Sequence, residues 1–222
     1  MRSAQINKVG AKMISDYTKF FKSDLATLET PRLRLRRMAL SDRDDMYEYA
    51  SRDEVTRYLL WKTHKTSDHT KRYLSYVVGL YKSGGFFDFA IEYKENGKMI
   101  GTCGFASLDP ANDSGEVGYV LSPDYWGRSI ATEALAAMLK FGFCDLELNR
   151  IEARYMSGNI ASRRVMEKCA MTYEGMQRQK LFVKGEYRDI GICSILASEY
   201  FAKNKRESAI SQRKARFLGF FG

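Results

Sequence analysis

The sequence has only two histidines, His64 and His69, and four cysteines, none of them in a C-x-x-C pair. That inventory leaves no recurrent zinc-ligand set. Long apolar runs are missing as well. No stretch of about 18 apolar residues occurs, which excludes a membrane-spanning helix. The first residues lack an apolar segment of about 7–15 residues, so no secretory signal is expected. Without secretion, the dispersed Cys103, Cys144, Cys169 and Cys193 are expected to be reduced, buried and structural in a cytoplasmic protein. No internal repeat or low-complexity segment is present.

What is present is an ordinary globular composition, 45% apolar and 28% charged in 222 residues, enough for one domain with a core. The net charge of +9 is unevenly placed. Residues 1–28 carry five Lys/Arg against two Asp/Glu, and residues 203–222 carry six against one, so residues 29–202 are near neutral. The chain therefore divides into an N-terminal extension (1–28), a central domain (29–202) and a basic tail (203–222). Within the extension, Ile6, Val9, Met13, Tyr17, Phe20 and Phe21 recur at helical spacing, so an amphipathic helix is expected over 5–22. It would pack on the domain, on a second subunit in a homodimer, or on a membrane surface. The tail ends in Phe217-Leu-Gly-Phe-Phe221, read as a disordered or dimer-packed end or as an aromatic anchor.

The central domain alternates between the two periodicities. Arg32-Leu-Arg-Leu-Arg36 reads as a strand with Leu33 and Leu35 inward. Ser41-Asp-Arg-Asp44 reads as an N-cap with an acidic first turn, and a second helix is expected from Ser67 to Lys82. Asn96-Gly97 signals a hairpin between Phe86–Tyr93 and Met99–Leu108. A strand at 115–121, a helix at 128–143, a strand at 150–156 and a short helix at 159–169 follow. A strand starts at 171–175, and a last hairpin turns at Lys184-Gly185. Antiparallel strands followed by alternating strands and helices imply an α+β domain with one mixed sheet flanked by helices.

The most telling segment is Leu121-Ser-Pro-Asp-Tyr-Trp-Gly-Arg-Ser-Ile-Ala-Thr-Glu-Ala134. A strand feeds a small-residue loop that opens a helix. The first N–H groups of such a helix are unpaired and its dipole adds positive charge, so the loop suits a diphosphate. It lacks the Lys-Ser/Thr of a Walker A loop, which argues against a nucleoside triphosphate.

Five blocks in order then carry a resemblance to the Gcn5-related N-acetyltransferase (GNAT) superfamily and, within it, to the Rim-type branch that acetylates protein N-termini. They are Thr30–Arg36, Gly115-Glu-Val-Gly-Tyr-Val-Leu121, Tyr125-Trp-Gly-Arg-Ser-Ile-Ala-Thr-Glu-Ala134, Asn159-Ile-Ala-Ser-Arg-Arg-Val-Met-Glu-Lys168, and Gly185–Asp189 with Ser194–Tyr200. The resemblance implies a mostly antiparallel sheet that splays between its fourth and fifth strands, with acetyl-CoA in the splay and no metal. It places the cofactor on Trp126, Gly127, Arg128, Ser129, Ile130, Ala131 and Thr132, with backbone groups of Arg128, Ser129, Ala131 and Thr132 as the phosphate donors, and pairs Tyr119, Val120 and Leu121 with the pantetheine arm. Asn159 is implied to bond that arm, with Ser162 beside the sulfur. Ser129 stands where the family usually has a second glycine and is expected to take helical angles. Ala170-Met171 replaces Gly-Phe, with an effect expected on packing only.

The implied chemistry needs a base, because an amine at neutral pH is protonated. Glu116 is the candidate, acting through water, and a surface carboxylate paired with lysine is the alternative reading. Ser162 is the candidate donor to the leaving thiolate. Cys169 and Cys193 have no histidine neighbour in sequence, so direct transfer is favoured over an acyl-cysteine route. Tyr187, Arg188 and Asp189 either line the acceptor pocket or pin their hairpin. The expected function is acetyl transfer to a protein N-terminus. Acetylation of a small amine (an antibiotic or an amino-sugar) and a catalytically weakened acyl-CoA-binding module remain as alternatives. The basic termini suit rRNA or another anionic surface.

Overall fold

Alternating apolar residues build the sheet, in a computed structural model that describes residues 27–83 and 87–205. The helix expected over 5–22, the tail beyond 205 and residues 84–86 lie outside the described residues. Strand β1 (Leu28–Glu29) pairs antiparallel with β2 (Leu33–Arg36), where Leu33 and Leu35 are fully buried as their alternation predicts. Next come β3 (Phe87–Tyr93), β4 (Lys98–Asp109) and β5 (Ser114–Leu121), each antiparallel to the strand before it. Tyr93 pairs with Lys98, so the Asn96-Gly97 turn is a four-residue loop with only Gly97 left-handed. By contrast, Lys184 and Gly185 both have positive φ and make a two-residue hairpin turn of the primed type.

Strand β6 (Arg150–Met156) runs parallel to β5, and the hairpin of β7 (Thr172–Val183) and β8 (Glu186–Leu196) closes the sheet in the order β1-β2-β3-β4-β5-β6-β8-β7. Pairing between β5 and β6 stops at Val117 with Ala153, although both strands continue. Residues 118–121 therefore part from 154–156, and the sheet opens into a splay. The count from the sequence began at β2, so the expected fourth and fifth strands are β5 and β6.

Helices cover both faces. Helices α1 (Arg43–Ala50), α2 (Asp53–Thr56) and α3 (Ser67–Ser83) bury Met46, Tyr49, Leu74 and Val77 against Ala90 and Met99. On the other face, α4 (Ile130–Lys140) and α5 (Ile160–Lys168) pack Ile130, Leu135, Met138 and Met166 onto Ile91, Cys103, Val117 and Ile151. Burial on both faces explains the near-continuous apolar run in β4.

Three local expectations change. Asp42 does not cap α1 with its side chain, because its carboxylate turns back to the Arg36 guanidinium and the Ala39 N–H. Helix 128–143 starts later, at Ile130, and ends in a π-turn at Phe141–Asp145. Cys144, in that turn, is exposed, unlike the other three cysteines. Among the described residues, no helix is long and apolar enough to cross a membrane.

Candidate active site

The loop between β5 and α4 takes its shape from two left-handed residues, Gly127 (φ +72°) and Ser129 (φ +57°). Such a loop leads the chain into α4 so that the unpaired N–H groups of its first turn face outward. Ser129 thus occupies a conformation that glycine adopts without strain, not the helical angles expected for it. Its hydroxyl makes no capping bond to α4. The loop is anchored from behind, where Glu133 accepts hydrogen bonds from the Thr30 hydroxyl, the Arg32 N–H and the Arg32 guanidinium at 2.5–2.9 Å.

A cavity of about 610 Å³ runs from this loop into the splay. Trp126, Gly127, Ser129, Ile130, Ala131 and Thr132 line one end; Asn159 and Ser162 line the α5 side. Arg128 is not among the lining residues. Its guanidinium lies over the rings of Tyr93 and Tyr125 at 5.9 and 5.6 Å, and its carbonyl accepts from Arg32. Three cations missed from the sequence, Arg57, Arg164 and Lys168, also line the cavity.

Tyr119, Val120 and Leu121 line this cavity too. The Ser122 N–H bonds the Ile100 carbonyl on β4, and backbone direction alternates along a strand. The N–H and C=O groups of Tyr119 and Leu121 therefore face the splay, while those of Val120 face β4. The Trp126 indole N–H already donates to the Leu121 carbonyl at 2.9 Å.

Asn159 caps α5, its Oδ1 accepting the Ser162 N–H at 3.2 Å. Side-chain chemistry at the splay centres on a pair that sequence reading did not find. The Tyr119 hydroxyl donates to the Ser162 carbonyl at 2.8 Å and lies 2.9 Å from the Ser162 hydroxyl. Burial raises the Tyr119 phenol well above its ordinary range, so it stays protonated.

A second cavity, about 660 Å³, lies on the α1/α3 face of the sheet. Tyr58, Leu59, Tyr119, Val120, Asn159 and Ser162 border both cavities, so the two meet at the splay. Glu116 lines the second cavity, half-buried, with the Arg154 guanidinium 3.4 Å away; its partner is thus an arginine, not a lysine. Burial raises the Glu116 carboxyl, Arg154 opposes that rise and Glu152 adds to it, leaving it above its ordinary value. Trp61, His64, His69 and Tyr73 form an aromatic wall, with the His64 and His69 rings stacked 4.3 Å apart.

Tyr187, Arg188 and Asp189 line neither cavity; they secure the β7–β8 hairpin. Asp189 accepts the Gln179 N–H at 2.7 Å, Arg188 pairs with Glu186, and Tyr187 packs on Phe182. Cys169 and Cys193 also line neither cavity, and burial raises both thiols, Cys169 to about 11. Ala170 has φ +63° and ends α5 in a Schellman motif, with Met171 N–H to the Met166 carbonyl and Ala170 N–H to the Glu167 carbonyl. Alanine in place of the glycine that the resemblance implies therefore puts a Cβ into a left-handed conformation, an effect on the backbone and not on packing alone.

The fold and the sequence both have known relatives. Residues 32–172 match the family of acetyltransferase (GNAT) domains. An uncharacterized N-acetyltransferase p20 of Bacillus licheniformis is 35% identical, over 79% of this chain and 99% of its own. The ribosomal-protein-serine acetyltransferase of Escherichia coli is 27% identical, over 58% of this chain and 70% of its own. Among solved structures, a GCN5-related N-acetyltransferase from Brucella melitensis superimposes with a TM-score of 0.74 at 27% identity, covering 85% of this chain and 86% of that one. RimL, a ribosomal L7/L12 alpha-N-protein acetyltransferase in complex with coenzyme A, shares the fold with a TM-score of 0.67 at 19% identity, covering 77% and 97%. With its splayed sheet and this match over residues 32–172, the chain belongs to the GNAT acetyltransferase family.

Proposed function

We propose that the protein transfers the acetyl group of acetyl-CoA to the primary amine of a protein N-terminus, directly and within a ternary complex. The observation that carries this reading is the meeting of two cavities at Tyr119 and Ser162, one ending at a helix N-terminus and the other holding Glu116. The residues fit acetyl-CoA. Gly127, Ser129 and the first turn of α4 would hold the diphosphate through backbone N–H groups, with Arg57, Arg164 and Lys168 adding positive charge. Tyr119 and Leu121 would pair with the pantetheine arm as with an added strand, and Asn159 would bond it from α5.

Bound acetyl-CoA supplies the thioester. Glu116 accepts the proton of the incoming ammonium through water, so that the amine lone pair is free to form the new C–N bond. The Ser162 hydroxyl donates a hydrogen bond to the departing sulfur, and the Tyr119 phenol positions Ser162 by donating to its carbonyl. An N-terminal acceptor is favoured because named relatives act on ribosomal proteins. Direct transfer is favoured because Cys169 and Cys193, the thiols weighed for an acyl-enzyme, stand outside both cavities.

The test combines a melting shift with thiol release. Acetyl-CoA at one hundred times its Kd should stabilise the protein by about 2.7 kcal/mol. Peptides with free N-termini should release CoA faster than amino-sugars. Glu116→Gln should slow turnover by about 10²–10⁴-fold and leave the acetyl-CoA shift intact. No shift at millimolar acetyl-CoA sinks the whole reading, whereas faster release with amino-sugars replaces the acceptor.

A further inference from the structure

The second cavity contains two polar groups that acetyl transfer as described leaves unused. Tyr49, on α1, lines it at 1% exposure. Among the described residues, its hydroxyl is the buried side-chain oxygen or nitrogen left without a hydrogen-bond partner. Asp88, on β3, lines the same cavity, and with Tyr73 and Asp42 it is one of the ionisable groups whose charge acts on the Tyr49 hydroxyl.

Sheet register places Asp88 relative to Glu116. Asp88 pairs with Gly104, and Gly104 with Gly118, so the three share one face of the sheet. A Cβ on Gly104 would come within 2.8 Å of the Asp88 Oδ1, whereas above Gly118 the space is open. The Asp88 carboxylate therefore reaches over a floor without side chains. That floor leads to β5, where Glu116 lies two residues from Gly118 on the same face.

Both groups cost the ligand-free fold stability. A buried hydroxyl without a partner forfeits its bonds to water. Burial likewise pushes the Asp88 carboxyl up to about 7, against hydrogen bonds from Thr102 and the Phe89 N–H. One ligand group offsets both penalties. An ammonium in this cavity could pair with the carboxylate and donate to the phenol oxygen, beside the Trp61 and Tyr73 side chains that also line it. Competing cations in the cavity are accounted for: Arg154 is held by Glu116 and Glu152, and Lys62 and Lys180 are exposed.

We propose that Tyr49 and Asp88 form an ammonium subsite that docks the protonated acceptor before Glu116 takes its proton. The proposal rests on the reading of this cavity as the acceptor site. It makes the preferred acceptor a cationic primary amine on an apolar or aromatic stem, and it makes both residues specificity determinants.

Ligand-observed NMR titration of the full chain tests it, using phenethylammonium chloride and its neutral counterpart 2-phenylethanol as probes. The ammonium should bind the native protein at least about ten-fold more tightly than the alcohol, the factor a charged hydrogen bond carries. Asp88→Asn should weaken ammonium binding by about ten-fold and Tyr49→Phe by about five-fold, with alcohol binding unchanged. Both variants should melt at or above the native temperature, since each removes a penalised group, so weakened binding is not a loss of fold. Equal binding of the two probes, or ammonium binding unchanged in both variants, overturns the subsite. Melting shifts with acetyl-CoA are read in the same samples. Their absence alongside normal ammonium binding overturns acetyl transfer and spares the subsite.

Discussion

Of the six non-glycine residues with a left-handed φ among the described residues, Ser129 and Ala170 stand where the family resemblance implies glycine. Ser129 turns the chain into α4, and Ala170 ends α5. A left-handed conformation costs a residue with a Cβ about 1–2 kcal/mol, while glycine loses more entropy on folding. The first effect outweighs the second. Ser129→Gly and Ala170→Gly should each stabilise the protein by about 0.5–1 kcal/mol, read from denaturant midpoints at unchanged slope. The gains should add, because the residues lie on different elements and share no partner. A loss in either variant would mean that the side chain makes a compensating contact. Neither conformation was legible in the sequence, since φ at a single residue leaves no periodic trace. The Tyr49–Asp88 pair escaped for a related reason: the two lie far apart in the chain, and only the fold of α1 over β3 brings them together.

At the scale of elements, the connection between α2 and α3 sets the aromatic wall of the second cavity. His64 is buried there, its Nδ1 2.9 Å from the Thr70 hydroxyl. Burial first, and the neighbouring His69 second, lower its pKa from 6.5 to about 4. The folded protein therefore binds fewer protons at His64 than the unfolded chain does between these values. Its contribution is present above pH 6.5 and is lost as pH falls toward 4. The advantage of the native protein over His64→Asn, measured by denaturation at pH 7.5, should shrink by about 2–3 kcal/mol at pH 4.5. A constant difference would show that His64 is neutral-paired in the unfolded chain or already charged when folded. Long periodic elements were readable in advance: the expected strand at 150–156 is β6, and α3 extends one residue past its expected end. The four-residue α2 was not, because Asp53–Thr56 is too short to show a period. Ser162 was named as a candidate through the family resemblance, three residues after Asn159. Its partner Tyr119 was assigned only a backbone role, because strand alternation does not reveal which helix a side chain will meet.

For the molecule as a whole, the near-neutral centre and the basic ends divide the labour. We propose residues 29–202 as the catalytic domain and the termini as contacts for an anionic partner such as ribosomal RNA. Full-length protein with Arg206, Arg213, Lys214 and Arg216 replaced by Gln should bind a single-stranded RNA probe with a shallower salt dependence, each lost phosphate contact removing about 0.7 from the slope. An unchanged slope dismisses the tail. The splay between β5 and β6 was implied by the family resemblance, whereas the residues at which they part were not. Four backbone pairs, Ser114 to Val117 with Arg150 to Ala153, join the two leaves of the sheet before they part. Glu116 and Tyr119 ride on one leaf, while Asn159 and Ser162 follow from the other. The reaction centre is thus a matter of alignment across a short spine. A slip of one residue there would leave every side chain intact and every helix folded, yet turn the Glu116 leaf over relative to its neighbour. What a mutational scan of the cavity would score as catalysis is therefore underwritten by the backbone pairing of eight residues, of which only Glu116 is proposed to act on the reacting groups.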